Sequence, residues 1–340
     1  MGRPRVSVIV PTRDRARFLA LAIESVCAQT FDDFELIVVD DGSRDETHAL
    51  LTRSGDRLRA LRTDRPRGVS AARNLGASAA RGDLIAFLDD DDLWTPDKLA
   101  HQVAWLDGDP SYDGQLAVLA GIDAEGRARG VTHPGHAQVG PIASARRLVE
   151  STVGQFSTLI LRRAAFDRAG PFDERLRIGE DVDWCLRALQ RGVRLYQSDR
   201  IVGSYRRHGA NVSRWGRTHA EDDVALFERW VKAPLPEAEL AIIGRRLALA
   251  HYRLAVARLD ETGPSAATAT LFARAALADP WVDARARNAP HPTARHLLTP
   301  WIAALASALG LAQRLRAKRR RTAANNAPSS LARNSDAAPR

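Results

Sequence analysis

The stretch "VSVIVPTRDRARFLALAIESVCAQTFDDFELIVVDDGS" (residues 6–43) contains two short apolar runs on either side of an amphipathic segment. The runs at 6–11 and 35–41 are rich in β-branched residues and lack polar alternation, as in strands buried on both faces of a sheet. Between them, the apolar residues of 18–27 recur at the spacing of one helix face. A strand, a helix and a strand in this order predict a parallel pair joined by a right-handed crossover.

The same pattern continues along the chain. The segment "GVSAARNLGASAARG" (68–82) predicts a second helix with Gly82 as its C-cap, and "LIAFLDD" (84–90) predicts a third buried strand. A hairpin is expected at 121–130, and residues 156–166 predict a strand that leads into a helix. We therefore expect an α/β fold with a mostly parallel sheet flanked by helices.

Polar clusters follow all three predicted strands, at residues 11–14, 40–43 and 89–92. Ligands of parallel sheets bind beyond the carboxyl ends of the strands, so the three clusters should converge on one crevice. A single acidic strand end is also consistent with an ordinary helix N-cap. Three such ends in register favour a binding site.

The four consecutive aspartates at 89–92 need a source of positive charge. Two carboxylates 4 Å apart repel by roughly 4 kcal/mol at an effective dielectric of about 20. The first strand is not followed by a G-x-G-x-x-G turn, and the sequence contains no Walker P-loop. Phosphate binding would then depend on a metal held by carboxylates, and hard oxygen ligands suit Mg²⁺ or Mn²⁺. We expect a divalent cation and its nucleotide to supply the missing charge.

Composition and cysteine usage are typical of a globular protein of the reducing cytosol. Hydrophobic residues make up 45% and charged residues 27% of the chain. Cys27 and Cys185 show no metal-ligand spacing, which favours free thiols over a disulfide framework. The sequence shows no N-terminal signal pattern and no uncharged run of about 18 residues. We therefore expect a cytoplasmic protein.

The basic charge is concentrated at the C-terminus. Residues 313–340 carry eight basic residues and one acid, and thus +7 of the formal net charge of +9. The rest of the chain has no large positive excess, so no nucleic-acid partner is expected. The low-complexity composition predicts disorder for this tail, whereas 218–312 is alanine-rich and almost wholly helical in pattern.

The segment "LLTPWIAALASALGLA" (297–312) is uncharged and directly precedes the basic tail. A helix of about 13 residues is roughly 20 Å long, short of the roughly 30 Å hydrocarbon core, so we do not expect it to span a membrane. It fits either a last helix packed on its neighbours or a helix lying on an anionic membrane surface. In the second case the protein would be peripheral on the inner face of the plasma membrane.

Five segments of the sequence resemble the family 2 glycosyltransferases, which have the Rossmann-like GT-A fold. They are "VSVIVPTRDRARFLALAIESVCAQTFDDFELIVVDDGSRDET" (6–47), "GVSAARNLGA" (68–77), "LIAFLDDDDLWTPDKL" (84–99), "FDERLRIGEDVDWCLR" (172–187) and "YRRHGANVS" (205–213). The likeness covers about residues 4–215, in the family's order and roughly its spacing. It implies a catalytic domain at 1–217, followed by a helical region at 218–312 and a basic tail at 313–340.

The resemblance assigns a set of residues to the nucleotide donor. They are Pro11, Thr12, Arg13, Asp40, Asp41, Arg73, Asp89 and Asp90. Asp41 corresponds to the aspartate that contacts the base, and residues 11–13 to the loop over base and ribose. Arg73 corresponds to a basic residue near the donor phosphates.

The resemblance also implies a metal site and a base. Asp89 and Asp91 correspond to the D-x-D motif that holds Mn²⁺ or Mg²⁺, and His208 to a histidine that can complete the metal shell. Because four aspartates run together, the frame can shift by one, which leaves Asp90 open as a ribose contact or a ligand. Asp181 corresponds to the general base.

The implied reaction is an inverting transfer of a sugar from a nucleotide diphosphate to a hydroxyl of a glycan or lipid-linked acceptor. UDP is favoured by its frequency in the family, and the residues leave TDP and GDP open. The resemblance implies a bacterial enzyme of surface polysaccharide or glycolipid synthesis. The alternative is a module of the same fold that binds sugar nucleotides or glycans without turnover.

Overall fold

The structure, a computed structural model, describes residues 2–131, 139–150, 156–209, 217–263 and 265–279. The chain divides into two compact units, residues 1–247 and 248–340. Within the described residues the strands are β1 (Val6–Thr12), β2 (Phe34–Asp40), β3 (Arg59–Arg62), β4 (Leu84–Phe87), β5 (Leu93–Trp94), β6 (Gly114–Asp123), β7 (Ala128–Val131), β8 (Gly140–Ile142), β9 (Ile160–Arg162) and β10 (Leu195–Arg207). The helices are α1 (Ala16–Cys27), α2 (Thr47–Arg53), α3 (Val69–Ala79), α4 (Lys98–Gly108), α5 (Ala145–Glu150), α6 (Arg163–Ala169), α7 (Glu180–Gln190), α8 (Arg217–Trp230), α9 (Glu237–Thr262) and α10 (Ala266–Ala278).

The first unit is built around one mostly parallel sheet, as predicted. Its strand order is β3-β2-β1-β4-β9-β6-β10-β5, with β7 beside β6 and β8 beside β10. Strand β1 pairs in parallel with β2 and β4, β2 with β3, and β6 with β10. Strand β9 runs antiparallel to both of its neighbours. The predicted hairpin is the antiparallel pair β6 and β7, and β9 leads directly into α6.

The two faces of β1 explain why the centre of this strand is apolar. Val8, Ile9 and Val10 have no exposed surface. Val8 and Val10 belong to a core cluster with Leu19 and other residues of the predicted helix face of α1. Ile9 points to the opposite face, where α3 approaches it at Gly76. Each such buried side chain stabilises the fold by about 1.5–3 kcal/mol. The packing of α1 on one face of the sheet and of α3 on the other therefore depends on this strand.

The carboxyl ends of β1, β2 and β4 come together at one edge, which confirms the predicted convergence of the polar clusters. The amide of Asp41 donates to the carbonyl of Thr12 at 2.9 Å. The Thr12 hydroxyl donates to Asp90 at 2.7 Å. Asp14, which has a left-handed backbone (φ 54°), joins the first two loops, because its amide donates to Ser43 Oγ at 2.9 Å and its carboxylate accepts from the Arg44 amide at 2.6 Å.

The predicted C-cap at Gly82 is wrong. Helix α3 ends at Ala79, and Ala80 follows in an extended conformation. Gly82 instead lies against β1, where a Cβ atom would be 2.5 Å from the Ser7 nitrogen and 2.7 Å from the Val6 carbonyl carbon. The residue must be glycine because the backbone of β1 passes too close for a side chain.

Gly82→Ala should therefore destabilise the protein by about 2 kcal/mol, since neither backbone segment can yield without disturbing the centre of the sheet. Gly108→Ala at the end of α4 is a matched control, because a Cβ there meets no atom within 4 Å. The control should change the free energy of unfolding by less than about 1 kcal/mol. Urea unfolding measures both, and equal stabilities for the two variants would contradict the close approach.

Most described residues of the alanine-rich segment after residue 217 lie in the helices α8, α9 and α10, and 231–236 connects the first two of them. None of the described helices has the length and apolarity that crossing a bilayer requires. The segments at 297–312 and 313–340 lie outside the described residues. The domain boundaries after 217 and 312 stay predictions.

Candidate active site

The run of aspartates directly after β4 places its four side chains in different surroundings. Asp89 keeps 34% of its side chain exposed. Asp90, Asp91 and Asp92 are buried. The chain itself supplies positive charge here, because the guanidinium groups of Arg15 and Arg73 contact carboxylates of this run.

Arg15, the residue before α1, joins the two central aspartates. Its Nη1 donates to Asp90 Oδ1 at 3.0 Å and to Asp91 Oδ2 at 2.8 Å. Burial raises the pKa of Asp90 to about 7, with Arg15 opposing the shift and Asp91 adding to it. The sequence analysis missed Arg15, since nothing local distinguishes this arginine from the others near the start of α1.

Asp92 holds the run to the rest of the fold. Its carboxylate accepts hydrogen bonds from Ser157 Oγ at 2.6 Å and from the Arg206 amide at 3.1 Å. Burial, with Asp91 and Asp89 nearby, raises the pKa of Asp92 well above its usual range. Ser157 Oγ also accepts from the Asp89 amide at 3.1 Å, so one hydroxyl fixes both ends of the run. Neither Ser157 nor Arg206 was singled out from the sequence.

Two of the three predicted metal ligands lie together. His208 follows β10, and its Nε2 is 2.9 Å from Asp91 Oδ2. Two ligand atoms at right angles on a cation that binds at about 2.1 Å are about 3 Å apart, so this pair fits Mg²⁺ or Mn²⁺. Asp89 is held by Arg73 instead. Among the described residues no group of three or more His, Cys, Asp or Glu side chains is close enough together to bind an ion.

Arg73 on α3 links the aspartate run to α7. Its Nη2 contacts Asp89 at 2.7 Å and its Nη1 contacts Glu180 at 2.6 Å. The guanidinium is buried against two aromatic rings, with its central carbon 5.4 Å from the centroid of Phe156 and 5.5 Å from that of Phe172. The two carboxylates raise the pKa of Arg73 against the effect of burial. In this arrangement Arg73 binds two carboxylates of the chain, and its contact with donor phosphate stays a prediction.

Asp181 lies in the first turn of α7, where Gly179 at the N-cap has φ 76°. Burial raises the pKa of its carboxyl to about 7, and the neighbouring Glu180 adds to the shift. The carboxylate accepts a hydrogen bond from the Val182 amide at 2.7 Å. Within the described part of the chain no ion pair involves Asp181, whereas its neighbour Glu180 is paired with Arg73. A carboxylate with this pKa and no ion pair can accept a proton near neutral pH.

The two aspartates at the end of β2 are both buried but differ in their partners. The Asp41 carboxylate accepts hydrogen bonds from the Thr63 hydroxyl at 3.0 Å and from the amides of Arg67 and Gly68 at 2.7–3.0 Å. It therefore organises the loop before α3. Asp40 accepts from the Ser43 amide at 2.8 Å, and its Oδ2 has no hydrogen-bond donor among the described residues.

Of the three residues predicted for the donor loop, two are the last residues of β1 and one follows the strand. Pro11 and Thr12 are buried, and Thr12 reaches Asp90 as described. Arg13 is exposed and has a weak ion pair to Asp14 at 3.5 Å. Its guanidinium is thus available to a ligand at the edge of the sheet.

Several solved structures share this fold. S. aureus TarS 1-349 has a TM-score of 0.63 at 21% identity, and the match covers 91% of each chain. The mannosyltransferase PcManGT from Pyrobaculum calidifontis, solved with GDP-Man and Mn²⁺, has a TM-score of 0.55 at 19% identity over 92% of this chain and 88% of that one. The chain therefore has the GT-A fold.

The sequence comparisons also point to glycosyltransferases. The sequence profile described as Glycosyl transferase family 2 matches residues 7–168. The succinoglycan biosynthesis protein ExoO of Rhizobium meliloti is 35% identical over 202 residues, 56% of this chain and 57% of that protein. An uncharacterized glycosyltransferase of Rickettsia typhi, RT0329, is 28% identical over 245 residues, 71% of this chain and 75% of that one. These matches confirm the predicted resemblance over residues 7–168 and the predicted fold.

Proposed function

We propose that the protein is an inverting glycosyltransferase that moves a sugar from a nucleotide diphosphate, with UDP favoured, to an acceptor hydroxyl. The observation that carries the proposal is the position of Asp181. This residue follows Glu180, which Arg73 ties to Asp89 in the aspartate run. A carboxylate able to accept a proton therefore lies next to the loop that would hold the donor diphosphate.

The proposed step needs one proton acceptor. The acceptor oxygen attacks C1 of the sugar, the bond from C1 to the diphosphate oxygen breaks, and the configuration at C1 inverts. Asp181 takes the proton of the attacking hydroxyl. The nucleotide is proposed to lie over the ends of β1 and β2, against Pro11, Thr12, Arg13, Asp40 and Asp41. Asp90 is proposed to contact the ribose, in addition to its contacts with Thr12 and Arg15.

Mn²⁺ or Mg²⁺ is the proposed cofactor, with Asp89, Asp91 and His208 as ligands. When bound, such an ion offsets the negative charge that develops on the leaving diphosphate. The contact between Asp91 and His208 supports this assignment. Asp89 is one-third exposed, so its second oxygen can turn toward an ion while Arg73 retains the first.

The donor and acceptor classes are supported by the named relatives. TarS was solved with UDP-GlcNAc and with UDP, and PcManGT with GDP-Man, so a sugar nucleotide is the expected donor and GDP remains an alternative to UDP. The name of ExoO points to polysaccharide synthesis. We propose a glycan or lipid-linked acceptor at the cytoplasmic side of the membrane. Contact of residues 297–321 with anionic lipid is part of that proposal.

The enzymatic function can be tested by incubating the protein with UDP-sugars and Mn²⁺ in the absence of an acceptor. We expect a slow release of UDP. EDTA should lower this rate at least about tenfold, and added Mn²⁺ should restore it. Asp91→Asn should show a similar loss in Mn²⁺, because a charged ligand is gone. Asp107→Asn, which alters an exposed carboxylate of α4 paired with Arg5, is the control and should keep full activity.

Two outcomes would contradict the proposal in different ways. If Asp91→Asn keeps full activity in EDTA, the proposed metal site is wrong. Donor binding without any turnover, detected by thermal shift with UDP-sugars, would support the binding module instead.

A further inference from the structure

Oδ2 of Asp91 is contacted by two basic side chains at once. Arg15 Nη1 lies 2.8 Å from this oxygen and His208 Nε2 lies 2.9 Å from it. The side chains are largely buried, with 19% of Arg15, 8% of Asp91 and 5% of His208 exposed. The oxygen that the proposed metal needs is therefore already bound by a cation of the chain.

A guanidinium and a divalent ion compete for this oxygen. They carry charges of the same sign, and solvent screens charges poorly at so buried a position. Arg15 has a second partner, because the same Nη1 lies 3.0 Å from Asp90 Oδ1. The guanidinium can therefore move away from Asp91 and still be paired with Asp90.

We infer that Arg15 is an internal cation that neutralises the aspartate run of the free protein and must leave Asp91 before a divalent ion can bind there. This inference rests on the proposed metal site. Two consequences follow from it. The loop after β4 can fold without metal, and the affinity for a free ion is weakened because binding the ion includes the displacement of Arg15.

Titration of the full-length protein with Mn²⁺ in the absence of nucleotide, followed by the electron paramagnetic resonance signal of free Mn²⁺, tests this. Arg15→Gln should bind Mn²⁺ about tenfold more tightly than the wild type, because the competing guanidinium is gone. Metal-free Arg15→Gln should unfold at a lower temperature, and Mn²⁺ should raise its melting temperature more than that of the wild type.

Arg17→Gln on α1 is the matched control. It removes the same charge two residues away, and the Arg17 guanidinium lies over the ring of Phe18 rather than on a carboxylate. Its affinity for Mn²⁺ should stay within about twofold of the wild type, since an exposed charge is screened. If the affinity for Mn²⁺ rises equally in both variants, the cause is a general charge effect and the inference is overturned.

A second measurement uses the wild type and does not depend on the folding of a variant. Phenylglyoxal, which modifies accessible guanidinium groups, should label Arg15 faster in Mn²⁺ than in EDTA, with Arg17 as the internal reference in peptide mass spectra. Unchanged labelling of Arg15, or equal Mn²⁺ affinity of Arg15→Gln and wild type, overturns the inference alone. Failure of both proteins to bind Mn²⁺ removes the proposed metal site, and the inference with it.

Discussion

Replacing Asp181 by asparagine should lower kcat by about 10²- to 10⁴-fold, the usual contribution of a general base. The donor should still bind, with an affinity within about threefold of the wild type, because the carboxylate is needed only for the proton that moves during transfer. Isothermal titration with the nucleotide sugar and a turnover assay with acceptor separate the two effects. Glu174→Gln, which alters an exposed acid paired with Arg67, is the control and should keep both values.

The pH dependence of the wild type provides an independent check. The pKa of Asp181 is raised to about 7, so the base is charged only above that pH. The value of kcat/KM should therefore fall as the pH decreases below about 7, and this fall should be missing from the residual activity of Asp181→Asn. Equal losses of donor binding and turnover in the variant would point to a structural role at the start of α7.

Arg73→Met should destabilise the protein by about 3–5 kcal/mol, because it leaves Asp89 and Glu180 without their shared buried cation. The methionine fills much of the same volume beside Phe156 and Phe172. The expected destabilisation therefore comes from the lost charge rather than from a cavity. Arg67→Met is the control. The ion pair between Arg67 and Glu174 is exposed, with 52% and 41% of the two side chains accessible to solvent. Arg67→Met should therefore lower the free energy of unfolding by less than about 1 kcal/mol.

A double variant tests the cause of this loss. In Arg73→Met/Glu180→Gln one uncompensated carboxylate has been neutralised, so the double variant should be more stable than Arg73→Met alone. Chemical denaturation of both variants at the same pH measures the difference in their free energies of unfolding. A double variant that is less stable than Arg73→Met would show that packing, not charge, makes Arg73 necessary.

Local pattern was sufficient for the architecture of this protein. The apolar runs of β1, β2 and β4 and the helix face of α1 predicted a parallel sheet, since burial on two faces forces an uninterrupted apolar run. The polar residues after each strand predicted the edge at which the loops meet. The family followed from five short motifs, and the candidate base and ligands followed from the family rather than from spacing.

The partners of those residues could not be read from the sequence. Arg15 is 75 positions from Asp90, Ser157 is 65 from Asp92, and Arg206 is 114 from Asp92. Hydrogen bonds and ion pairs depend on atoms a few ångströms apart, and one arginine among many carries no local mark of the carboxylate it will meet. The same holds for Gly82, where a neighbouring strand rather than the end of a helix requires glycine.

The sequence by itself thus determined the sheet, the edge where its loops converge and the class of chemistry, because hydrophobic periodicity and strand-end residues act over short stretches of chain. Only the tertiary structure decided how four adjacent carboxylates are made compatible. Arg15 takes the two central ones, Arg73 ties Asp89 to the helix that carries Asp181, and Asp92 turns inward to Ser157. That division is physical: periodicity is set by neighbours in the chain, whereas charge compensation is set by neighbours in space.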